Sequence, residues 1–393
     1  MYHCQNSDDI GSSQKADDNG SYSFLVEWYE EQAARIRQFL LSYHVKTQGV
    51  EMYCLKTRKT FLKTCLKGTP NAIELSDLFI GSTHNILGRQ ITIKDYGDEY
   101  TRNHLSGKKE KTFGLVKPDA VNKAGTILDQ IYQKGFMIAQ LKSCVLDRQE
   151  GSDFYQDHKD EFYMKTLVAD IVSGPVLAFE IVGENAVGKW REMVGPCDPA
   201  EARKCAARSL RAQFGTDKSK NALHSAASSE IASRELEFFF PTVGVPRRNS
   251  ASFDQCTCAV IKPHAVKAGL AGKIIMAITE ANFEVTAIQM FHMDKVNAEE
   301  FYEVYKGVVA EYNGMVVELT SGPCIALEIR AQNAVTAFRE MVGPADPEIA
   351  RHLRPRTLRA TFGVDKIKNA IHCTDLPEDG LLEVEYFFKI LDR

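Results

Sequence analysis

Two histidines end matched apolar runs, His224 in "KNALHSAASSE" and His372 in "KNAIHCTDLPE", 372 − 224 = 148 residues apart. An imidazole titrates near neutrality and attacks a phosphorus centre through a neutral ring nitrogen, provided the other nitrogen is hydrogen-bonded so that the attacking tautomer is fixed. A carboxylate is a common partner for that second nitrogen. Glu235 and Glu383 each stand eleven residues after their histidine, beside a run that reads as a strand. Phosphate oxygens need positive partners, and arginine supplies planar two-point contacts. Arg191 and Arg211 go with the first histidine, and Arg339 and Arg359 with the second. Lys117 and Lys262 each precede a proline at the end of an apolar run, where a fixed point charge suits a phosphate. Asn221 and Asn369 lie three residues before their histidines. Phosphoryl transfer needs little more, because positioning and charge neutralisation supply most of its catalysis. Taken singly, each group has a plainer reading, such as a surface histidine or an arginine on a solvated helix face. Their recurrence as a set, among surface positions that differ, favours a site.

The elements that must position them are duplicated. "LVKPDAV" answers "VIKPHAV" at an offset of 262 − 117 = 145, and the offset then rises to 148. At the larger spacing "SGPVLAFEI" answers "SGPCIALEI", "REMVGPCDP" answers "REMVGPADP", and "ELEFFF" answers "EVEYFF". Three extra residues therefore entered the second copy between Val266 and Ser321. Each copy alternates short apolar runs with amphipathic ones, in the order strand, helix, strand, helix, strand, helix, strand, which predicts an α/β sandwich of split βαβ type. Between the copies, "PTVGVPRRNSASFDQ" reads as a linker. "FLVEWY", "FLLSYHV", "VEMYCL", "KTFLKTCL" and "GRQITIKDYG" precede them as short β-branched and aromatic runs spaced by turn formers, predicting a small, mostly β domain.

The expected division is a disordered or docking tail over 1–22, a β docking domain over 23–105, the first copy over 111–241, a linker over 242–256 and the second copy over 257–393. At 393 residues the chain suits two or three domains. A formal net charge of −4, with no basic stripe interleaved with aromatics, argues against charge-driven nucleic-acid binding. The ten cysteines are scattered, and Cys256 and Cys258 are too close for a zinc or redox pair, so reduced thiols in a cytoplasmic compartment are expected. The N-terminus has neither a basic start nor an apolar core, and no apolar run is long enough to span a bilayer.

"KPD", "R…G…P", "LR…FG", "N-x-x-H" and the following Glu resemble the nucleoside diphosphate kinase family in both copies, over Lys111–Pro241 and Thr257–Arg393. The resemblance implies an α+β class, with two tandem ferredoxin-like α/β sandwich domains after a small, mostly β, PH-like domain. It implies transfer of the γ-phosphate of ATP, bound with Mg²⁺ through the nucleotide's phosphates and no protein metal ligand, to histidine and on to a nucleoside diphosphate. His224 would be the first copy's nucleophile, oriented by Glu235; Lys117, Arg191 and Arg211 would hold phosphates and Asn221 would lie near the sugar. Tyr155 matches a family tyrosine near the lysine, and Tyr163 an aromatic that stacks on the base. The second copy would use His372, Glu383, Lys262, Arg339, Arg359, Asn369 and Tyr302. "DYGDEYTR" resembles a β domain found in EF-hand-containing proteins of ciliary axonemes, which implies tubulin or other axonemal microtubule partners and a place in the cytoskeleton of the cilium. Family members assemble by pairing domains, so the two copies are expected to pack as an internal pseudo-dimer.

The chain departs from the family pattern. Cys197 and Ala345 stand where the family has threonine; Ala226 and Thr374 stand where it has serine; His264 replaces the aspartate of "KPD". Each lost neutral hydrogen bond costs about 0.5–1.5 kcal/mol, roughly tenfold in rate. Two expectations follow: a slow phosphotransferase with the first copy the better enzyme, or a chiefly structural axonemal protein built on kinase-like domains.

Overall fold

A computed structural model describes residues 20–30, 35–69, 72–80, 82–105, 109–242 and 244–392. The tail expected over 1–22 lies outside them except at 20–22, where the first strand already begins. The chain forms two compact units, one running to Ser82 and resuming over Thr92–His104, the other comprising Thr83–Ile91 and everything from Leu105.

The N-terminal sheet is six-stranded, in the order β4-β3-β2-β1-β6-β5. Its strands are β1 (Ser21–Glu30), β2 (Arg35–His44), β3 (Gly49–Cys54), β4 (Lys59–Cys65), β5 (Thr83–Ile86) and β6 (Arg89–Tyr96), followed by helix α1 (Glu99–Leu105). Period-two alternation puts Phe39, Leu41 and Tyr43 of β2 on one buried face, with Phe24 and Val26 of β1 and Val50 and Met52 of β3. "DYGDEYTR" is a packed corner. Arg102 donates to both oxygens of Asp95, the Asp98 carboxylate accepts from the Thr101 N–H, and the Thr101 hydroxyl accepts from the Ser23 N–H. A Cβ on Gly97 would fall 2.9 Å from the Phe24 nitrogen, so no larger residue fits that crossing.

The first copy runs through β7 (Glu110–Val116), α2 (Ala124–Gln133), β8 (Met137–Cys144), α3 (Arg148–Phe154), α4 (Met164–Ile171), β9 (Val176–Gly183), α5 (Ala186–Val194), α6 (Pro199–Cys205), α7 (Leu210–Phe214), β10 (Leu223–Ser225) and α8 (Ser229–Phe239). The second repeats it as β11 (Cys256–Ile261), α9 (Pro263–Lys267), α10 (Ala271–Glu280), β12 (Glu284–Phe291), α11 (Lys295–Phe301), α12 (Tyr312–Leu319), β13 (Cys324–Arg330), α13 (Ala334–Val342), α14 (Pro347–Leu353), α15 (Leu358–Phe362), β14 (Ile371–Cys373) and α16 (Gly380–Glu385). The pairings of β10 with β7, β7 with β9 and β9 with β8 are antiparallel, the ferredoxin-like arrangement, and the class is α+β. The three extra residues now have places. Helices α2 and α10 start 271 − 124 = 147 apart and α4 and α12 start 312 − 164 = 148 apart, so two residues entered before α10 and one in the turn before α12.

Both copies share one eight-stranded sheet, ordered β10-β7-β9-β8-β12-β13-β11-β14, because β8 and β12 pair antiparallel at Lys142 and Gln289. Behind it α2 packs on α10. A Cβ on Gly125 would lie 2.5 Å from the Met276 nitrogen and one on Gly272 2.2 Å from the Asp129 nitrogen, so the two glycines let the helix backbones touch. One hydrophobic core runs across the junction, from Ile127, Leu128 and Ile131 to Ile274, Ile275 and Ile278. The segment expected as a linker is strapped along this junction. Ser250 donates to the Thr286 carbonyl, Val145 N–H to the Arg248 carbonyl, and Asn249 to Asp392.

Candidate active site

In the first copy β10 pairs with β7 so that His224 lies opposite Leu115. The chain then leaves β7 at Lys117, whose N–H donates to the Ala222 carbonyl. Ala222 is held at φ 67°, unusual for a residue with a side chain, and its N–H donates to Asp119 at 3.0 Å. His224 Nε2 meets Glu235 Oε1 at 2.8 Å. Glu235 sits on α8, not beside a strand as expected. Ser228 caps that helix, and Ala232, Glu235, Leu236 and Phe239 share its buried face at helical spacing. With Nε2 held by the carboxylate, Nδ1 is the ring nitrogen left for chemistry.

The cations converge from other elements. Arg211 on α7 is buried and donates to the carbonyls of Gly195 and Leu223 and to Cys197 Sγ at 3.6 Å. Its Nε is buried without a partner. Arg191 on α5 donates to the Ala227 carbonyl. Lys117 Nζ donates to the Asn221 side chain at 2.8 Å and to the Ser219 carbonyl, while the Asn221 amide donates to the Cys197 carbonyl. Burial, assisted by the Arg211 charge, pulls the Lys117 ammonium down to about 8. Tyr155 is buried with its ring 6.4 Å from that of His224, and burial pushes its phenol well above the ordinary value. Tyr163 is partly exposed, its hydroxyl 3.3 Å from His158 Nδ1. This half-open position is one a planar base could cover.

The second copy assembles the same residues with a different finish. His372 Nε2 meets Glu383 Oε2 at 2.8 Å. Arg359 donates to the Gly343 and Ile371 carbonyls, and Asn369 donates to the Ala345 carbonyl with its own oxygen unpartnered. Lys262 donates to the Ile367 carbonyl, and burial with the Arg359 charge lowers it to about 7. Tyr302 is buried, its ring 5.9 Å from His372. Arg339, however, is paired with Asp375.

The family model described as "Nucleoside diphosphate kinase" matches residues 110–245 and again 255–392. The chain belongs to the nucleoside diphosphate kinase family. A Rattus norvegicus protein named nucleoside diphosphate kinase homolog 7 is 51% identical over 373 residues, covering 95% of this chain and 94% of its own. A Xenopus laevis protein named thioredoxin domain-containing protein 6 is 33% identical over 297 residues, 75% of this chain and 45% of its own. Among solved structures, the Aquifex aeolicus nucleoside diphosphate kinase is 45% identical over 34% of this chain and 95% of that one, with a TM-score of 0.33.

Against the family pattern the departures acquire physical content. His264 takes over the task of Asp119: its Nε2 accepts from the Ala370 N–H, at φ 69°, while Nδ1 meets Glu318 Oε1 at 2.7 Å. The aspartate of "KPD" is thus replaced by a partly buried His–Glu pair doing the same anchoring. Thr374 donates to the Glu383 oxygen that holds His372, whereas Ala226 offers Glu235 no hydroxyl; Glu235 Oε2 is separately buried without a partner. The residue inserted before α12 falls in the turn that carries Tyr163 in the first copy, and no aromatic holds the corresponding place among 306–311. The ion pair between Asp157 and Arg234 is replaced by Val304 and Leu382, 67% and 61% exposed. Sequence reasoning missed Asp375, Tyr305 and Glu318. Aligning the copies at the histidine and reading three residues on, Ala227 against Asp375, would have exposed the first of them.

Among the described residues no group of three or more His, Cys, Asp or Glu is placed to hold a metal ion, and no helix is long and apolar enough to cross a membrane.

Proposed function

We propose that the chain is a nucleoside diphosphate kinase-type phosphotransferase working through a phosphohistidine, with His224 the principal nucleophile. The observation that carries this reading is the His224–Glu235 contact at 2.8 Å beside Lys117, Arg191 and Arg211. The Nδ1 lone pair attacks the γ-phosphorus of ATP, a P–N bond forms, the bond to the β,γ-bridging oxygen breaks, and ADP leaves. Glu235 stabilises the cation that forms on the ring. A terminal oxygen of a nucleoside diphosphate then attacks the same phosphorus and the P–N bond breaks, restoring neutral imidazole. Arg191, Arg211 and Lys117 offset the charge on the transferring group, and Tyr163 covers the base. Mg²⁺ would travel with the nucleotide and spread phosphate charge. Incubation with γ-labelled ATP tests the reading: acid-labile, base-stable label should appear and vanish in His224→Ala. Nucleotide binding without such label would overturn it.

A second reading concerns the N-terminal unit. We propose that it docks on tubulin or neighbouring axonemal microtubule proteins, placing the chain in the cytoplasm and in the cytoskeleton of the ciliary axoneme. Tyr29 and Ile36 support it, lying opposite one another on β1 and β2 with 55% and 62% of their surface exposed. Full-length protein should pellet with microtubules, and Tyr29→Ser with Ile36→Ser should abolish pelleting. An unchanged pellet would remove this surface from consideration.

A further inference from the structure

The second copy carries an apolar face that the first copy lacks. Helix α11 lies there against the residues that follow α16. The Phe301 ring stacks on that of Tyr386 at 5.7 Å and meets Phe387 edge-on at 5.0 Å. The Tyr386 hydroxyl is 3.0 Å from both the Glu300 carboxylate and the Asn297 carbonyl. On the solvent side of this seam stand Val296 on α11 and Val304 just after it, 69% and 67% exposed, and Leu381 and Leu382 on α16, 42% and 61% exposed. Their counterparts in the first copy are Gln149, Asp157, Ser233 and Arg234, at offsets of 296 − 149 = 147 and 382 − 234 = 148. Asp157 and Arg234 form an ion pair, so the places that Val304 and Leu382 fill face each other across the seam. Acids border the apolar residues: Glu303 before Val304, and Glu378 and Asp379 before Leu381. Of these, Glu303 and Asp379 replace Gln156 and Ile231 of the first copy. The bases of the same stretch are unchanged, Lys295 and Lys306 answering Arg148 and Lys159, and Lys295 is paired with Glu299.

Exposed apolar side chains grouped within a polar rim mark an interaction surface. Two facing rows of them suit a helix, whose anchors at i, i+3, i+4 and i+7 present one apolar stripe. Charge on the rim then decides which helices are accepted, because like charges brought together there are unfavourable. We propose that the face formed by α11 and α16 docks a basic amphipathic helix of a partner protein. Its apolar stripe covers Val296, Val304, Leu381 and Leu382, and its lysines or arginines meet Glu303, Glu378 and Asp379. The first copy refuses the same helix, since Asp157 and Arg234 neutralise one another where the apolar anchors would lie. None of the four apolar residues belongs to the set around His224 or His372, so the docking surface is separate from the chemistry of either copy.

The test uses the full chain and a model peptide of about five helical turns, with leucine at i, i+3, i+4 and i+7 spacing and lysine elsewhere. A twin carries glutamate in place of lysine. Fluorescence anisotropy should show the lysine peptide binding one site per chain, at least tenfold more tightly than its twin. Val304→Asp with Leu382→Arg, which installs the ion pair of the first copy, should weaken the lysine peptide at least tenfold. Val296→Gln with Leu381→Ser should do the same while leaving the facing pair intact. Glu303→Gln with Asp379→Asn should weaken it severalfold and flatten its dependence on salt. Failure of the lysine peptide to bind, equal affinity for the two peptides, or binding unchanged in both apolar variants would overturn the proposal. So would a dimer of the wild-type chain in sedimentation that Val304→Asp with Leu382→Arg dissolves, since the face would then belong to a second copy.

Discussion

Thr374 donates its hydroxyl to Glu383 Oε2 at 2.9 Å, the same oxygen that takes His372 Nε2, so one carboxylate atom receives both the nucleophile and a brace. The first copy lacks the brace. Ala226 stands at the matching position, so Glu235 Oε1 holds His224 Nε2 without a second donor. A made hydrogen bond contributes about 0.5–1.5 kcal/mol. Ala226→Ser should therefore raise unfolding free energy by about 1 kcal/mol, with Thr374→Ala lowering it by a similar amount in urea titrations. If Glu235 orients His224, Ala226→Ser should also speed phosphohistidine formation severalfold. A variant no more stable than the wild type would show that the Glu235 oxygen is satisfied by solvent.

Lys117 and Lys262 predict a pH dependence. Both have folded pKa values below the ordinary 10.5, about 8 and about 7, chiefly through burial. Phosphate favours the charged form and raises the pKa in the complex, so affinity is full below the free value and falls as pH rises through it. Binding of ATP at the first site should weaken above pH 8 by up to about tenfold per unit, with net proton uptake. Binding at the second site should begin to weaken about one unit lower, reflecting the lower Lys262 value. Stability carries the opposite sign: the unfolded chain binds more protons between pH 8 and 10.5, so these lysines make stability climb across that window. Calorimetry in buffers of different ionisation heat measures the uptake directly. Flat affinity from pH 6.5 to 9.5 would mean that neither lysine contacts phosphate.

How much was legible beforehand follows from what kind of contact each feature needs. The duplication, the strand ends at Lys117 and Lys262 and the residue sets around His224 and His372 are local patterns, and repetition made them visible. The helix carrying Glu235 was not, because "ELEFFF" looks like a strand when its apolar letters are read alone. Ser228 and the spacing of Ala232, Leu236 and Phe239 make it a helix, and only that helix turns Glu235 towards the histidine. The glycine pair at the α2–α10 crossing, the Tyr305–Asp375 hydrogen bond and the His264–Glu318 pair join residues tens to hundreds of positions apart. Nothing in the letters near any one of them announces its partner.

His264 and Glu318 should behave as one unit. His264→Ala orphans the Ala370 N–H beside the nucleophile strand and removes the partner of a buried carboxylate, which should destabilise the chain by about 1–3 kcal/mol. Glu318→Gln keeps a hydrogen-bond acceptor and should cost less. A double-mutant cycle should return a coupling of about 0.5–3 kcal/mol. Additive losses would mean that the imidazole anchors Ala370 without help from Glu318.

A buried ion pair braces the junction between the copies. Lys142, the β8 residue that pairs with Gln289 of β12, donates to Asp392 at 2.5 Å, and Gln289 and Asn249 donate to the same carboxylate. Only 5% and 8% of the two charged side chains is exposed, so neither finds water if the other is removed. Breaking a buried pair by deleting one partner typically costs about 3–5 kcal/mol, more than the pair itself contributes. Asp392→Ala should thus destabilise the chain severely, whereas Lys142→Met with Asp392→Leu should recover most of the loss. Because the strap through Asn249 ends on the same carboxylate, protease should cut near residues 244–250 faster in Asp392→Ala than in the wild type. Equal cutting, with stability lost all the same, would show that the pair braces the sheet junction but not the segment that crosses it.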